Sequence, residues 1–430
     1  MDYISELYTI YQRHPRVITD TRQELTDSIF FCLKGPNFDA NTFAKEAIRK
    51  GAVLVVSDSA ANTGNAKIMV VPNVLETLQA LASHHRKLFT FPVIGLTGSN
   101  GKTTNKELIA AVLSLRYRTH FTEGNLNNHI GVPLTLLGIP LDCEMAVIEM
   151  GANHIGEIQE LCAISQPDFG MITNIGKAHL EGFGSAEGVI KGKKELFDYI
   201  GKNGGKVFVN GDDKLLSDLS KNLNRIVFGK NEEGYFVEGS IIQSTPFISF
   251  RFNTNNETSK EIKTNLVGGY NFFNLLAAAC IGIYFEVSMS EIEQALENYV
   301  PTNNRSQWLS TESNQIILDA YNANPSSMEA ALENLHNQKS SSKLALLGEM
   351  RELGDTAKEE HQLLINKIHN FGIDAILVGN GYKHCDKKDF RWYENSTDLI
   401  DFLKNNPIKN SLILLKGSRA VAMEKVVDFL

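Results

Sequence analysis

A glycine-containing loop in the first quarter of the chain carries the clearest chemical signal. It reads Thr97-Gly98-Ser99-Asn100-Gly101-Lys102-Thr103-Thr104. The loop follows a strand-like run at residues 93–96 and precedes a helix-like run at 105–115. In such a position the glycines let backbone N–H groups approach phosphates at a helix N-terminus, Lys102 reaches the β- and γ-phosphates, and the Thr103 hydroxyl holds Mg²⁺. We therefore expect these eight residues to form an ATP–Mg²⁺ site.

The loop departs from the strict phosphate-loop pattern G-x-x-x-x-G-K-[ST] at one position. The first glycine would fall at residue 96, which is Leu, and Gly95 lies one residue early. The alternative interpretation is a glycine turn followed by a helix with a surface lysine. ATP carries several negative charges, and one lysine cannot neutralise all of them. Each charge contact near a protein surface contributes roughly 4 kcal/mol. A metal ion must therefore share this charge, and it needs ligands of its own.

Two later strand-like runs lead to residues that suit a metal ion. Glu149 directly follows residues 145–148, and His179 lies in the loop beyond residues 170–173. In open α/β sheets, ligands bind outside the carboxyl ends of the strands, which is where the glycine loop lies. Taken singly, Glu149 could be a solvated strand end and His179 a structural histidine. Their position relative to the loop favours an ATP–Mg²⁺ enzyme.

Strands and helices alternate along the chain and divide it into three predicted α/β domains, at residues 1–88, 89–301 and 302–430. Such alternation indicates parallel sheets covered by helices. The predicted strands are residues 29–33, 53–56, 68–71, 93–96, 145–148, 170–173, 207–209, 316–318, 344–347, 375–378 and 412–415. Helices are predicted at 41–50, 73–88 and 105–115, a hairpin loop at 253–260 and a linker at 301–304.

Composition excludes several classes of protein. The net charge of −8 argues against non-specific nucleic-acid binding, which needs a basic face. The longest near-continuous apolar run, residues 275–285, is about half of the ~20 residues that a membrane span needs. The first residues lack the basic flank and apolar run of a signal peptide. The five scattered cysteines contain no C-x-x-C and fit reduced thiols in a cytoplasm.

The glycine loop resembles the ATP loop of the Mur ligase superfamily, whose own pattern accounts for the failed strict match. The resemblance extends over nearly the whole chain. Residues 122–128 and 130–133 are similar to the family's substrate segment, and Glu149 and His179 fall at its metal-ligand positions. The resemblance implies a small N-terminal uridine-nucleotide-binding unit, a central P-loop ATPase-like parallel sheet and a C-terminal Rossmann-like domain.

A lysine motif extends this resemblance. Lys193-Lys194-Glu195-Leu196-Phe197 resembles the family motif whose first lysine is carbamylated in many members. A carbamate turns the cation into an anionic oxygen ligand, so the resemblance implies that Lys193 helps to hold a second Mg²⁺. Lys191 and Lys194 are near enough to be confused with it. A solvated basic helix face is the alternative interpretation.

Two further segments resemble the family's nucleotide contacts. Residues 269–274 are similar to its adenine-contacting motif, in which Asn274 is the expected base contact, because an amide offers both a donor and an acceptor. Asn271 could equally be a helix cap. Arg305 and Asp319 flank the linker and are implied to reach ATP when the third domain closes. A surface salt bridge is the alternative for this pair.

Residues 319–328 and 347–354 look like signatures of the family branch that adds D-alanyl-D-alanine to UDP-N-acetylmuramoyl-tripeptide. Residues 20–22 and 30–35 resemble the family's uridine-nucleotide-binding unit. Departures include Thr21 in place of the usual serine and Asn304 in place of the glycine before the hinge arginine. The substrate-binding residues that the resemblance implies are Thr21, Arg22, Asn125, Asn127, Asn128, Asn322, Asn324 and Arg419.

The implied reaction is ATP-dependent amide formation. The tripeptide carboxylate would attack the γ-phosphate to give an acyl phosphate and ADP, and the dipeptide amine would then displace phosphate. Catalysis is assigned to Lys102, Glu149, His179 and Lys193, and two Mg²⁺ to Thr103, Glu149, His179 and carbamylated Lys193. A cytoplasmic monomer without nucleic-acid or membrane partners is expected.

Three alternatives remain open from the sequence. One is another amide ligase of the superfamily, such as the enzyme that adds the third residue or a folylpolyglutamate synthase. The others are a P-loop kinase or simple NTPase, and a nucleotide-regulated scaffold without carboxylate-dependent turnover.

Overall fold

The computed structural model describes residues 3–230 and 234–430. Its strands, in chain order, are β1 (Arg16–Ile18), β2 (Ser28–Phe31), β3 (Lys34–Gly35), β4 (Phe38–Asp39), β5 (Leu54–Ser57), β6 (Ile68–Val70), β7 (Val93–Thr97), β8 (Thr119–Phe121), β9 (Met145–Glu149), β10 (Phe169–Ile172), β11 (Lys206–Asn210), β12 (Arg225–Gly229), β13 (Val237–Gln243), β14 (Ser249–Asn253), β15 (Ile262–Lys263), β16 (Gln307–Ser310), β17 (Gln315–Asp319), β18 (Lys343–Gly348), β19 (Asp374–Val378), β20 (Arg391–Tyr393) and β21 (Leu412–Lys416).

The α-helices cover the faces of the sheets formed by these strands. They are α1 (Tyr3–Arg13), α2 (Ala44–Arg49), α3 (Val74–Arg86), α4 (Lys102–Leu113), α5 (Gly131–Leu137), α6 (Glu157–Ser165), α7 (Leu180–Phe183), α8 (Ala186–Lys202), α9 (Lys214–Ser220), α10 (Phe272–Tyr284), α11 (Met289–Asn298), α12 (Pro325–Asn337), α13 (Ala357–Phe371) and α14 (Ser396–Asn405).

The first sheet has four parallel strands in the order β1-β2-β5-β6. β2 and β5 are buried at every position, as expected for apolar strands covered on both faces. The strands predicted at 29–33, 53–56 and 68–71 correspond to β2, β5 and β6. The helix predicted at 73–88 is α3, which begins after Asn73 because that side chain accepts the Glu76 N–H.

The second sheet has nine strands in the order β15-β14-β13-β12-β11-β10-β7-β9-β8. It is parallel from β8 to β13 and antiparallel from β13 to β15. The predicted parallel sheet is thus extended by an antiparallel hairpin, and the predicted loop at 253–260 connects β14 to β15. The apolar run at 275–285 lies mostly within α10, whose buried face packs against this sheet.

The third sheet has six strands in the order β16-β17-β21-β18-β19-β20. The four predicted strands are the inner ones, and all four run parallel. The two edge strands were not predicted, and β16 is antiparallel to β17. Short edge strands carry little continuous apolar character, so their sequence signal is weak.

The first and second sheets share one continuous core. Buried residues of α1, α3 and β2 pack in the same cluster as those of α5, α6 and β9. The Tyr11 hydroxyl donates a hydrogen bond of 2.6 Å to Leu137 O, and the buried Arg86 guanidinium binds Asp168 and Ser165 O. α3 is therefore anchored to the central part of the molecule.

Across residues 3–230 and 234–430, every helix falls short of the length and apolar character that crossing a bilayer requires.

Candidate active site

The glycine loop begins at the carboxyl end of β7, in the middle of the second sheet. β10 and β9 flank β7, with Ile172 paired to Thr97 and Glu149 paired to Leu96. β8 and β9 follow β7 on one side, and the chain then crosses to β10 on the other side. Strand order therefore reverses at β7, which is where a ligand crevice forms in open α/β sheets.

Two glycines give the loop its shape. Gly98 has φ of +148°, and a Cβ added there would lie 1.9 Å from the Thr173 hydroxyl oxygen. Gly101 has φ of +76° and immediately precedes α4. Both conformations favour glycine, so the loop that the sequence predicted forms with its backbone close to the neighbouring strand end.

The segment after β10 holds the loop in place. The Thr173 hydroxyl donates to Asn100 O at 2.6 Å, and the Asn100 N–H donates to Asn174 Oδ1 at 3.0 Å. Ser99 Oγ donates to Gly176 O at 3.1 Å. Thr97 donates its hydroxyl to Met150 O at 2.8 Å on the other side. Backbone and side chains of the loop are thus positioned before any ligand binds.

Lys102 lies folded against the loop that carries it. Its Nζ donates to Gly98 O at 2.7 Å and to Ser99 O at 3.3 Å. Burial lowers the pKa of Lys102, the Glu149 carboxylate opposes this shift, and Arg305 adds to it. A phosphate oxygen is a stronger partner for an ammonium group than a neutral carbonyl oxygen is, so the loop suits a polyphosphate.

Glu149 is the buried carboxylate of the site, at only 1% exposure. Its Oε1 accepts hydrogen bonds from Asn127 Nδ2 at 2.8 Å and from the Thr103 hydroxyl at 3.3 Å. Its Oε2 is buried and has no hydrogen-bond partner among the described residues. A buried charged oxygen without a partner is costly, so this atom fits a cation ligand.

The described residues contain no group of three or more His, Cys, Asp and Glu side chains suited to holding a metal. Mg²⁺ usually binds proteins through one or two carboxylates together with phosphate oxygens and water. Glu149 and Thr103 supply such a partial set beside the phosphate-binding loop.

His179 lies in the loop after β10 and lines the same cavity as Glu149. Its backbone is left-handed, with φ of +53°. Its Nδ1 lies within ion-pair distance of the carboxylate of Glu352, which comes from the segment after β18 in the third sheet. The imidazole lowers the pKa of Glu352.

Lys193 is distinguished from its neighbours by burial. It is 1% exposed on α8, its Nζ donates to Ala152 O at 3.2 Å, and it lies 5.3 Å from the centre of the Phe183 ring. Burial lowers its pKa well below the usual value, Lys102 adds to this shift, and Glu157 and Glu195 oppose it. Lys191 is exposed, and Lys194 pairs with Asp198. Lys193 is therefore not part of a solvated basic face.

The predicted adenine motif forms a chain of amides. Asn274 Oδ1 accepts from Asn105 Nδ2 at 2.6 Å, and Asn274 Nδ2 donates to Asn271 Oδ1 at 2.7 Å. Both ends of the Asn274 amide thus already have protein partners, although the residue does line the cavity. Asn271 occupies the N-cap position of α10, as that alternative predicts, but its side chain donates to Val267 O and makes no capping hydrogen bond.

Arg305 and Asp319 both line the cavity but do not pair with each other, contrary to the salt-bridge alternative. Asp319 Oδ2 accepts from Lys416 Nζ at 2.5 Å, and its Oδ1 accepts from the Ser306 N–H at 3.2 Å. The Arg305 guanidinium lies 3.7 Å from the centre of the Tyr321 ring. The third sheet thus contributes charged groups of both signs to the site.

Asn324 connects the third sheet to the glycine loop. It precedes α12, and its side chain forms a capping box with Ser327. Its Nδ2 also donates to Asn100 Oδ1 at 2.8 Å. Asn322 accepts the Ala323 N–H with its own side chain and lines the cavity beside it.

One cavity of about 640 Å³ brings most of the predicted residues together. The predicted residues that line it are Ser99, Asn100, Gly101, Lys102, Thr103, Thr104, Asn125, Asn127, Asn128, Glu149, His179, Asn274, Arg305, Asp319, Asn322 and Asn324.

The remaining predicted residues lie outside the lining of this cavity. Thr97 and Gly98 shape the loop from behind, and Lys193 lies behind Ala152, which does line the cavity. Arg419 is exposed, 5.5 Å from the centre of the Tyr321 ring.

Thr21 and Arg22 lie in the turn between β1 and β2 of the first sheet. Thr21 O accepts from Lys50 Nζ at 3.0 Å, and Arg22 pairs with Asp20 at 2.6 Å.

Sequence reasoning missed several residues of the site. Tyr270 and Tyr321 line the cavity and lie within segments already singled out, but neither had been given a role. Residues 416–419, at a predicted strand end, were expected from the sequence to meet the dipeptide, and the structure shows that Lys416 ends β21 with its charge buried against Asp319. The contact of Glu352 with His179 depends on the docking of two distant segments and had no local signal.

Two regions of the chain match known families of domains. Residues 96–282 match the Mur ligase middle domain, and residues 304–419 match the Mur ligase, glutamate ligase domain. The chain is 34% identical over 428 residues to the UDP-N-acetylmuramoyl-tripeptide–D-alanyl-D-alanine ligase of Bacillus subtilis (strain 168), and the alignment covers 96% of this chain and 92% of that protein.

Solved structures of ligases are also similar to this fold over almost the whole chain. The fold is similar to a crystal structure of MurF from Acinetobacter baumannii, with a TM-score of 0.87, 30% identity, and coverage of 96% of this chain and 92% of that one. It is also similar to MurF ligase from Thermotoga maritima in complex with ADP, with a TM-score of 0.85, 26% identity and 96% of both chains covered.

Proposed function

The chain belongs to the Mur ligase family, and on that premise we propose that it joins D-alanyl-D-alanine to UDP-N-acetylmuramoyl-tripeptide in an ATP-dependent reaction. The product is a UDP-muramoyl-pentapeptide, a precursor of peptidoglycan. The relatives whose names state this reaction align with almost all of the chain, which supports the assignment over the other amide ligases of the family.

One observation carries the proposal. Residues of the phosphate-binding loop and residues after β17 of the third sheet face each other across a single cavity, and Asn100 bonds directly to Asn324. A simple NTPase needs only the first of these two surfaces. A ligase needs the second as well, because its acceptor amine must approach the activated carboxyl group.

The phosphate end of ATP is assigned to the loop from Thr97 to Thr104. Lys102 exchanges its loop carbonyl partners for phosphate oxygens, and backbone N–H groups at the start of α4 bind the same anion. Asn274 borders the base, and Arg305 and Asp319 approach the nucleotide from the third sheet. The ADP complex of the similar Thermotoga maritima enzyme supports nucleotide binding in this fold.

Mg²⁺ is part of the proposal, with Thr103, Glu149, His179 and carbamylated Lys193 as the residues that would hold two ions. When bound, Mg²⁺ supplies positive charge that reduces the repulsion between polyphosphate and carboxylate. The unpartnered Oε2 of Glu149 supports the first site. For the second, the buried Lys193 favours a neutral amine, which is the form that reacts with CO₂.

The peptide bond forms in two steps. The terminal carboxylate oxygen of the tripeptide attacks the γ-phosphorus, the bond to the β-phosphate oxygen breaks, and an acyl phosphate and ADP result. The dipeptide amine then attacks the carbonyl carbon, loses a proton and expels inorganic phosphate. Docking of the third sheet over the loop excludes water, which would otherwise hydrolyse the acyl phosphate.

The substrates are assigned to the three predicted domains. Residues 1–88 would bind the uridine nucleotide through Thr21 and Arg22, and residues 89–301 would bind ATP and the tripeptide through Asn125, Asn127 and Asn128. Residues 302–430 would bind the dipeptide through Asn322, Asn324 and Arg419. Arg419 is exposed, so its guanidinium can pair with a dipeptide carboxylate.

We propose further that the enzyme acts as a monomer in the cytoplasm. The residues assigned to all three substrates come from one chain, and the five cysteines are free thiols, as expected in a reducing compartment. Light scattering of the purified protein tests the monomer.

A reconstituted assay tests the function. Phosphate release is measured with ATP and Mg²⁺, with each acceptor carboxylate and each amine added singly and together. We expect release that requires both UDP-N-acetylmuramoyl-tripeptide and D-alanyl-D-alanine, with the pentapeptide product identified by its mass. Tripeptides ending in lysine and in diaminopimelate are both tested. Turnover with a single amino acid, or with a folate and glutamate, would instead identify a different ligase of the family.

A further inference from the structure

The contact between His179 and Glu352 joins two separate parts of the molecule. His179 belongs to the loop after β10 and lines the cavity, whereas Glu352 follows β18 of the third sheet and lies outside the lining. The carboxylate of Glu352 pairs with Nδ1 of the ring. Nε2 is then the ring nitrogen that remains available to a cation.

Histidines that bind metals generally use one ring nitrogen for the metal and donate the other N–H to a carboxylate or a carbonyl group. That partner fixes the tautomer and the orientation of the ring. Here the partner comes from the segment that must dock against the loop.

The segment that carries Glu352 is held firmly on its own side. The Met350 N–H donates to Nε2 of the buried His361 at 3.0 Å, and His361 Nδ1 lies 2.6 Å from Ala357 O. Across the interface, the Glu181 N–H donates to Glu352 O at 3.3 Å. A second ion pair, between Lys177 and Glu360 at 2.7 Å, crosses the same interface without touching His179.

We propose that Glu352 is a positioning residue that orients His179 across the domain interface, so that docking of the third sheet completes the divalent-cation site at the nucleotide. Cation binding and docking then favour each other, because each stabilises the arrangement that the other needs. The proposal rests on the metal role of His179 given above, but not on the identity of the tripeptide or the dipeptide.

Mn²⁺ binding to the ADP-loaded enzyme tests this coupling without any turnover. Free Mn²⁺ is measured by electron paramagnetic resonance during a titration. We expect Glu352→Ala to raise the dissociation constant about 10- to 100-fold, the usual effect of losing such a partner. The matched control is Glu360→Ala, which removes the Lys177 ion pair across this interface and should change the constant less than about twofold.

The outcomes separate this proposal from the assignment of the metal site. Mn²⁺ affinity that falls in His179→Ala but not in Glu352→Ala overturns the positioning role alone. Affinity that is unchanged in His179→Ala overturns the metal site and the proposal together. Equal losses in Glu352→Ala and Glu360→Ala also overturn it, because Glu352 would then be a docking contact only.

A spectroscopic measurement adds an independent test. Histidine ¹⁵N spectra, with the His179 signals assigned through His179→Ala, report which ring nitrogen carries the proton. We expect Nδ1, the ring nitrogen beside Glu352, to carry a proton in the metal-free enzyme, and this preference to be lost in Glu352→Ala. A proton on Nε2 alone in the unsubstituted enzyme would overturn the proposal.

Discussion

The amide of Asn324 donates a hydrogen bond of 2.8 Å to Oδ1 of Asn100, so the third sheet contacts the phosphate-binding loop directly. The same side chain begins α12, because its Oδ1 accepts the Ser327 N–H at 2.9 Å. Asn324 therefore has a local role in its own helix and a long-range role between two sheets. Substitutions can separate the two roles.

Replacing Asn324 by serine should keep the helix cap but lose the bond to Asn100, whereas alanine loses both. Serine and asparagine cap helices about equally well, and alanine costs about 1 kcal/mol. We expect Asn324→Ala to lower the free energy of unfolding in urea by about 1 kcal/mol more than Asn324→Ser does. Both variants should lose about fivefold to tenfold in kcat/KM for ATP, as expected for one neutral hydrogen bond. Full activity in Asn324→Ser would show that the bond is dispensable.

Replacing Glu149 by glutamine should lower the ligation rate and raise the free energy of unfolding. The Oε1 position keeps its bonds to Asn127 and Thr103, while the buried and unpartnered charge of Oε2 is removed. We expect the cation-free protein to gain about 1 kcal/mol in unfolding free energy and to lose at least about 100-fold in ligation rate. Urea unfolding and phosphate release measure the two effects. A less stable Glu149→Gln would contradict the assignment of Oε2 as a strained cation ligand.

Lys193→Ala should reduce ligation steeply, and added formate or acetate should restore part of the activity. A short carboxylate can occupy the space left by the side chain and replace the anionic oxygen of a carbamate. Lys194→Ala is the matched control on the same helix, since Lys194 pairs with Asp198 and is half-exposed. The assay is phosphate release at increasing carboxylate concentration. Near-normal turnover in Lys193→Ala would rule out the carbamate role.

Gly98→Ala should damage nucleotide binding because the new methyl group has no space. Its Cβ would lie 1.9 Å from the Thr173 hydroxyl oxygen, and φ of +148° is strained for alanine. We expect the KM for ATP to rise at least about tenfold, consistent with roughly 1–3 kcal/mol of local strain. Gly64→Ala is the control, because Gly64 also has a positive φ but nothing within 4 Å. Equal KM values in the two variants would contradict a role for loop shape.

The site residues that directly follow a predicted strand could be identified from the sequence. Gly98, Lys102 and Glu149 are encoded next to apolar runs, so their position at one edge of the sheet followed from fold class alone. α1 was overlooked, although Ile4, Leu7, Tyr8 and Tyr11 have helical spacing and are all buried.

Contacts made by docking could not be predicted in this way. The hydrogen bond from Asn324 to Asn100 and the contact between His179 and Glu352 join residues more than 170 positions apart. They depend on how two completed sheets meet, which no local pattern specifies. The pairing of Asp319 with Lys416 likewise required the strand order of the third sheet, in which β17 and β21 are neighbours.

His85 should make the protein less stable in mild acid. It is buried on α3, shares a hydrogen bond of 3.0 Å with the Tyr8 hydroxyl, and packs against the rings of Tyr11 and Phe89. Burial lowers the pKa of His85 to about 4; its contact with Ile139 opposes the shift, and His84 adds to it.

Folding disfavours protonation of His85, because its pKa is lower in the folded protein than the ordinary value of 6.5. Its contribution to stability is therefore complete above pH 6.5 and is lost as the pH falls from there towards 4. The full loss corresponds to roughly 3 kcal/mol. Urea unfolding at several pH values should therefore show that the free energy of unfolding falls less steeply with decreasing pH in His85→Gln. His84→Gln on the same helix should keep most of the original slope, because His84 is the smallest of the causes that shift the pKa of His85. An unchanged slope in His85→Gln would mean that other groups cause the acid sensitivity. Since α3 carries His85 and anchors the first sheet to the second, the loss of stability should extend to both sheets and appear as one cooperative transition.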